Sequence, residues 1–153
     1  MSITYRRDGI VQINEKLKRM GRAAKLRDFY QHIRTQFAKI EEAQFASLGA
    51  RGGKKWAPLN PAYAARKRAR VGAKPIMEYT GALKRSLTSA SSPDMIVLIK
   101  ETSQGAHIEL GSSIPYAQYH QTGRGVPKRQ LIKLTKADLQ ALLTAPIIRR
   151  LRR

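Results

Sequence analysis

Apolar residues recur at three- and four-residue steps through most of the first 48 positions. Ile13, Leu17, Met20 and Ala24 form one series from Ile10 onward, and Leu26, Phe29, Tyr30, Ile33, Phe37 and Ile40 form a second that Phe45 extends. That spacing predicts two helices, each with one buried face. Asp8 is the cap of the first, Gly21 breaks or weakens it, and the second ends near Leu48-Gly49, where glycine suits a helix terminus. The three phenylalanines lie at eight-residue spacing on the second helix, which favours core over subunit contact for its apolar face.

The pattern then changes. ARGGKKWAPLNP, residues 50–61, mixes glycine, proline and lysine and predicts a mobile basic loop. Asn60-Pro61 opens a helix, the asparagine capping free N–H groups and the proline sitting where no N–H is required. Its AYAARKRAR sequence is basic on most sides, so it is expected at the surface with Arg66, Lys67, Arg68 and Arg70 projecting like a comb, and Val71-Gly72 ends it. Thr80 is a second cap, followed by a short helix that packs through Leu83 and Leu87. MIVLIK (95–100) and AHIEL (106–110) predict an antiparallel pair, with the turn between Thr102 and Gly105 and with His107 and Glu109 on a wet face. Tyr116 and Tyr119 share one face of a short amphipathic segment, and Gly123 and Gly125 permit a reversal. Beyond Pro127, KRQLIKL most simply adds a third strand, and Thr135 to Asp138 is a capping-box variant for the helix ADLQALL.

The predicted fold class is α+β: long N-terminal helices packed on a small, mostly antiparallel sheet, with short helices and a mobile basic loop. A length of 153 residues fits a single domain, 1–153, with a helical N-terminal arm (1–48), an α+β core (49–145) and a basic C-terminal tail (146–153).

Charge adds a second layer. Thirty lysines and arginines against ten acidic residues give a formal +20. Residues 51–74 hold eight basic side chains and no acid, and residues 124–153 hold nine and one, whereas 75–123 is close to neutral. Such blocks attract a polyanion or an acidic protein surface, with a long-range part that salt screens. There is no cysteine, hence no disulfide framework or thiolate site, which fits a reducing cytoplasm. No apolar run is long enough for a membrane span and MSITYRRDG lacks a signal-peptide core, so a soluble chain, not secreted by the general route, is expected.

Catalytic signatures are missing from the sequence. The three histidines, 32, 107 and 120, form no H-x-x-x-H or H-E-x-x-H pattern, and no G-x-S-x-G elbow occurs. Gly52-Gly53-Lys54-Lys55 lacks the spacing of a phosphate-binding loop. Neither an enzyme nor a resident cofactor or metal is expected.

Four blocks carry a resemblance. Trp56-Ala57-Pro58-Leu59 with Lys67 behind it, Thr80-Gly81-x-Leu83 with Ser86-Leu87, Tyr116-Ala117-x-x-His120-Gln121-x-Gly123, and Pro127-x-Arg129 resemble, in order, the motifs of the phage virion morphogenesis family. LTKADL, 134–139, resembles that family's closing helix, so the likeness runs from about Phe45 to Leu143. The resemblance implies a structural virion protein made in the host cytoplasm and placed at the head–tail junction. There it would complete the proximal end of a phage tail and join it to the head connector, commonly as a ring of identical subunits, most simply a hexamer. It implies contacts with itself, with tail tube or terminator proteins and with connector proteins, and none with a membrane. Tyr116, Tyr119, His120, Gln121 and Arg129 are then candidates for a subunit or partner seam. Trp56, Leu59, Thr80, Gly81, Leu83, Gly123 and Pro127 are structural motif residues, Trp56 anchoring the basic loop against the body. Arg51, Lys54, Lys55, Arg66, Lys67, Arg68 and Arg70 are candidates to face packaged DNA. The alternative is a basic nucleic-acid-binding protein of ribosomal or nucleoid type, which the charge and the RKRAR helix favour and the lack of an aromatic platform disfavours.

Overall fold

The computed structural model describes residues 2–6, 9–15, 23–102 and 105–143, and over these the chain is α+β. In order it forms strands β1 (Ser2–Tyr5) and β2 (Val11–Glu15), helices α1 (Ala23–Ala46), α2 (Pro61–Val71) and α3 (Ala82–Thr88), strands β3 (Met95–Thr102) and β4 (Gly105–Ser112), and helices α4 (Ala117–Thr122) and α5 (Lys136–Leu143). A single 3₁₀ turn, Ala50–Gly52, follows α1. Among the described residues no helix is long and apolar enough to cross a membrane.

The four strands make one antiparallel sheet in the order β1-β2-β4-β3. Its register sets apolar residues against each other: Ile13 opposes Ile108, which opposes Ile99, and Val11 opposes Leu110, which opposes Val97. Val11, Ile13, Ile108 and Leu110 are fully buried, so this face is the floor of the core. The opposite face is wet, as the alternation of β4 predicts. There Glu109 accepts from Gln12 Nε2 at 3.1 Å and Arg6 Nη1 at 3.3 Å and lies 3.1 Å from His107 Nε2. The His107 contact, ahead of the others, holds the Glu109 carboxyl below its usual range.

Two sequence expectations fail here. The helix from Ile10 is instead a β-hairpin, with Val11 and Ile13 alternating inward on β2. Ile13 satisfies both a helical and an alternating pattern, and pairing with distant β4 decides between them. Asp8, Leu17, Met20 and Gly21, which carried the rest of that helix, lie outside the described residues. KRQLIKL is not a strand; the third and fourth strands are β2 and β1. Leu131, Ile132 and Leu134 are buried all the same, in an irregular segment.

Helix α1 spans 24 residues and lays Phe29, Ile33, Phe37, Ile40 and Phe45 into the core, packing on α3, α5 and β3. The phenylalanines therefore belong to the core, as their spacing predicts. Buried Arg34 ties this helix to the loop before β3: Nη2 donates to Ser92 O at 2.6 Å, Nη1 to Met95 O at 3.3 Å, and Nε to Ala90 O. The helix ends in a Schellman arrangement, Gly49 N–H to Gln44 O and Leu48 N–H to Phe45 O, with Leu48 at φ +51° and Gly49 at +87°. Trp56 packs directly on that end, edge-on to Phe45 with ring centroids 5.2 Å apart. Its indole Nε1 donates to Gln130 O at 2.9 Å. At 4 % exposure it anchors the basic loop and has no face left for stacking on a base.

The caps predicted for α2 and α5 hold. Asn60 Oδ1 accepts from Ala62 N–H and Tyr63 N–H with Pro61 at the first helical position. Thr135 and Asp138 bond reciprocally, Asp138 Oδ2 accepting from Thr135 N–H at 2.7 Å and Thr135 Oγ1 from Asp138 N–H at 3.2 Å. At α3 the cap shifts by one residue: Gly81 at φ +84° occupies it, while Thr80 Oγ1 accepts from Ala82 N–H at 3.3 Å.

Candidate docking groove

The irregular segment after Pro127 owes its burial to side chains that replace a neighbouring strand. Gln121 Nε2 donates to Ile132 O and Ile132 N–H donates to Gln121 Oε1, both at 2.9 Å. Gln44 Nε2 joins Trp56 Nε1 on Gln130 O. Arg129 N–H donates to His120 O at 2.9 Å, while its guanidinium reaches the other way, Nε to Ala57 O at 2.8 Å and Nη2 to Pro58 O at 3.0 Å. One arginine thus fixes the distance between α4 and the loop that launches α2. Gly123 makes the approach possible at φ +81°, where a Cβ would lie 2.9 Å from that of Lys128.

Helix α2, which with its preceding loop forms the basic arm, is exposed along most of its length. Its one buried residue is Lys67, whose ammonium donates to Lys74 O at 3.0 Å and, at shorter range, to Pro75 O, tying the helix to the segment that returns toward α3. Glu78 in that segment pairs with Lys84 at 2.9 Å. Met77, at φ +68°, turns the chain there without being glycine.

Between the arm and the body lies a groove of about 830 Å³. Leu59, Asn60, Tyr63 and Lys67 form one wall, and Met77 to Leu83 form the second. Ile114, Pro115, Tyr116, His120, Val126, Pro127 and Arg129 complete it. Its surface is predominantly apolar, and Tyr63, Tyr79 and Tyr116 stand exposed at its edge. All four sequence blocks therefore converge on one concavity: Leu59 from the first, Thr80, Gly81 and Leu83 from the second, Tyr116 and His120 from the third, Pro127 and Arg129 from the fourth. Trp56 and Gly123 stand outside the lining and support it.

The seam candidates divide. Tyr116 and Tyr119 are exposed, although Tyr119 lies outside the groove lining. His120 is half-buried in the wall, its Nδ1 buried with no hydrogen-bond partner. Burial, then the charge of Arg129, pushes its pKa down, which keeps the ring neutral. Gln121 and Arg129, expected at a seam, are internal at 6 % and 5 % exposure, because the backbone groups they satisfy are themselves buried.

The basic residues divide too. Lys67 does not project with its neighbours: it is 4 % exposed, and burial lowers its pKa. Arg51 is spent internally, paired with Asp138 and donating to Lys133 O at 3.4 Å. Lys54, Lys55, Arg66, Arg68 and Arg70 are exposed. Nothing in the sequence marks Tyr79, Met77 or Val126 as groove residues; the signal available was Ile76, Met77 and Tyr79, three apolar or aromatic positions between two helices with no regular element to bury them. Among the described residues no cluster of histidine and carboxylate suited to a metal occurs.

A family model described as the phage virion morphogenesis family matches residues 8–149, nearly the whole chain, and the chain belongs to that family. No curated protein and no solved structure gives a significant match.

Proposed function

We propose that this member of the phage virion morphogenesis family completes the proximal end of a phage tail and joins it to the head connector, as a ring of identical subunits at the head–tail junction. The family supports a structural or assembly role in the virion. The observation that carries the finer reading is the convergence of the motif blocks on an apolar, tyrosine-edged groove outside the main core, a surface shaped for docking. Rings need heterologous contacts, one patch meeting a different patch on the next copy, and exposed Tyr119, which lies outside the groove lining, offers one such patch apart from the groove.

The test is the native mass of the nucleic-acid-free protein at low and high salt, together with its presence in purified tails. A closed oligomer, most simply a hexamer, that survives high salt and is found on tails is expected. A chain that stays monomeric even with tails and connectors present would overturn the ring. A second reading rests on the exposed Lys54, Lys55, Arg66, Arg68 and Arg70: a nucleic-acid-binding protein, whose affinity for DNA would fall steeply and linearly with the logarithm of salt.

A further inference from the structure

Two cations of the groove have no carboxylate hydrogen-bonded to them among the described residues. Lys67 and Arg129 both line it, and their hydrogen bonds run to backbone carbonyls alone: Lys74 O and Pro75 O for the lysine, Ala57 O and Pro58 O for the arginine. The one carboxylate in the lining, Glu78, pairs with Lys84 at 2.9 Å and acts on Lys67 through its charge alone, with no hydrogen bond between them. An ammonium has three donors and a guanidinium five, so one donor of Lys67 and the Nη1 group of Arg129 have no partner among the described residues. Buried charges are ordinarily paired, and burial, the largest cause for each, lowers the pKa of both groups. Around these cations the groove is apolar and edged by tyrosines.

We propose that the groove receives an apolar segment of a partner protein that carries one aspartate or glutamate, seating that carboxylate against Lys67 and Arg129 while its flanking apolar residues lie between Tyr63, Tyr79 and Tyr116. This rests on the docking role above and adds the chemistry of the partner. Charge excludes the nearest alternative occupant, the C-terminal segment of a second copy: TAPIIRRLRR, 144–153, carries four arginines and no acidic side chain. A nucleic acid is a poor fit as well, because an apolar lining cannot solvate a run of phosphates.

The experiment is display selection of random dodecapeptides on the full-length, nucleic-acid-free protein, followed by affinity measurement with the selected peptides and with a synthetic 144–153 peptide. Selected peptides should share one acidic residue between apolar or aromatic ones. Changing that acid to its amide should weaken binding about ten- to hundredfold, the weight of a charge-assisted hydrogen bond. Tyr63→Ala with Tyr116→Ala, both exposed positions that leave the core untouched, should weaken it about tenfold or more, and Ala82→Trp should fill the groove and abolish it. Acid-free selected peptides, equal affinity of acid and amide, binding that survives Ala82→Trp, tighter binding of the 144–153 peptide, or no enrichment at all would each overturn the proposal. Native mass separates this from the ring: a closed oligomer with a groove indifferent to carboxylates sinks the inference alone, and a monomer whose groove selects acidic peptides sinks the ring alone.

Discussion

Replacing Gln121 by leucine tests whether one side-chain amide does the work of a missing strand. The change keeps the volume near constant and deletes two hydrogen bonds, both 2.9 Å, to the backbone of Ile132, a residue 2 % exposed. Each stranded backbone group costs about 1–3 kcal/mol, and the extra apolar burial of leucine returns part of the sum, leaving about 2–4 kcal/mol. That is a large share of the roughly 5–15 kcal/mol available to a domain. With a urea slope of about 2 kcal/mol/M, the midpoint should fall by about 1–2 M. Trp56, the sole tryptophan, reports the transition, and hydrogen exchange at the Ile132 amide localises the loss. Gln118→Leu, whose bond to Pro115 O at 3.2 Å is exposed, is the control and should stay within about 0.5 kcal/mol. A Gln121→Leu protein with an unmoved midpoint and a still-protected Ile132 amide would show that the segment is held by apolar burial alone.

Three further outcomes follow from the interior. Glu41 is fully buried with neither carboxylate oxygen hydrogen-bonded, and burial outweighs nearby Arg51 in raising its pKa well above the ordinary value. The folded state therefore binds the proton more tightly than the unfolded one, so its contribution is full below the unfolded value of about 4.5 and is lost as pH rises toward the folded pKa; Glu41→Gln should gain on the wild type in urea midpoint as pH is raised from 4.5, and a constant difference would refute it. Gly49→Ala places a methyl 2.5 Å from Trp56 Cδ1 at φ +87°, costing about 1 kcal/mol in conformation and about 1–3 more in displaced packing, with a shifted tryptophan emission as the local readout. Asp138→Ala removes the partner of Thr135 N–H, Thr135 Oγ1 and Arg51 and should cost about 2–3 kcal/mol by thermal unfolding, whereas Asp138→Asn, keeping the cap, should cost visibly less.

What could be read ahead was what neighbours along the chain decide. Asn60-Pro61, Thr135 to Asp138, the phenylalanine series of α1 and the alternation of β4 each carry their cause within a few residues. The failures are all decided at long range. Val11 and Ile13 become strand because Ile108 and Leu110 wait across the sheet. KRQLIKL looks extended and apolar, as a strand does, yet its polar backbone is met by Gln121, Gln44 and Trp56, and side-chain amides leave no periodic trace. Lys67, Gln121 and Arg129 belong to residue types usually found at the surface, and their burial follows from carbonyls that only the folded loops present.

Those reassignments change what the net charge means. Arg34 and Arg51 are spent on carbonyls or on Asp138 inside the molecule, and Lys67 and Arg129 bond to carbonyls in the groove wall, so the surplus that the arm exposes on its outer side is carried by Lys54, Lys55, Arg66, Arg68 and Arg70. Identical arms repel one another within a Debye length of about 8 Å at physiological salt. The groove offers them no relief, because its lone carboxylate is already paired and its other ionised side chains are cations. On the proposed reading, charge disfavours an arm as the occupant of the next copy's groove. In the proposed ring, the contact between copies and the groove are then different surfaces, leaving the groove free for a protein that brings the missing carboxylate and the arms free for whatever polyanion or acidic face the ring surrounds.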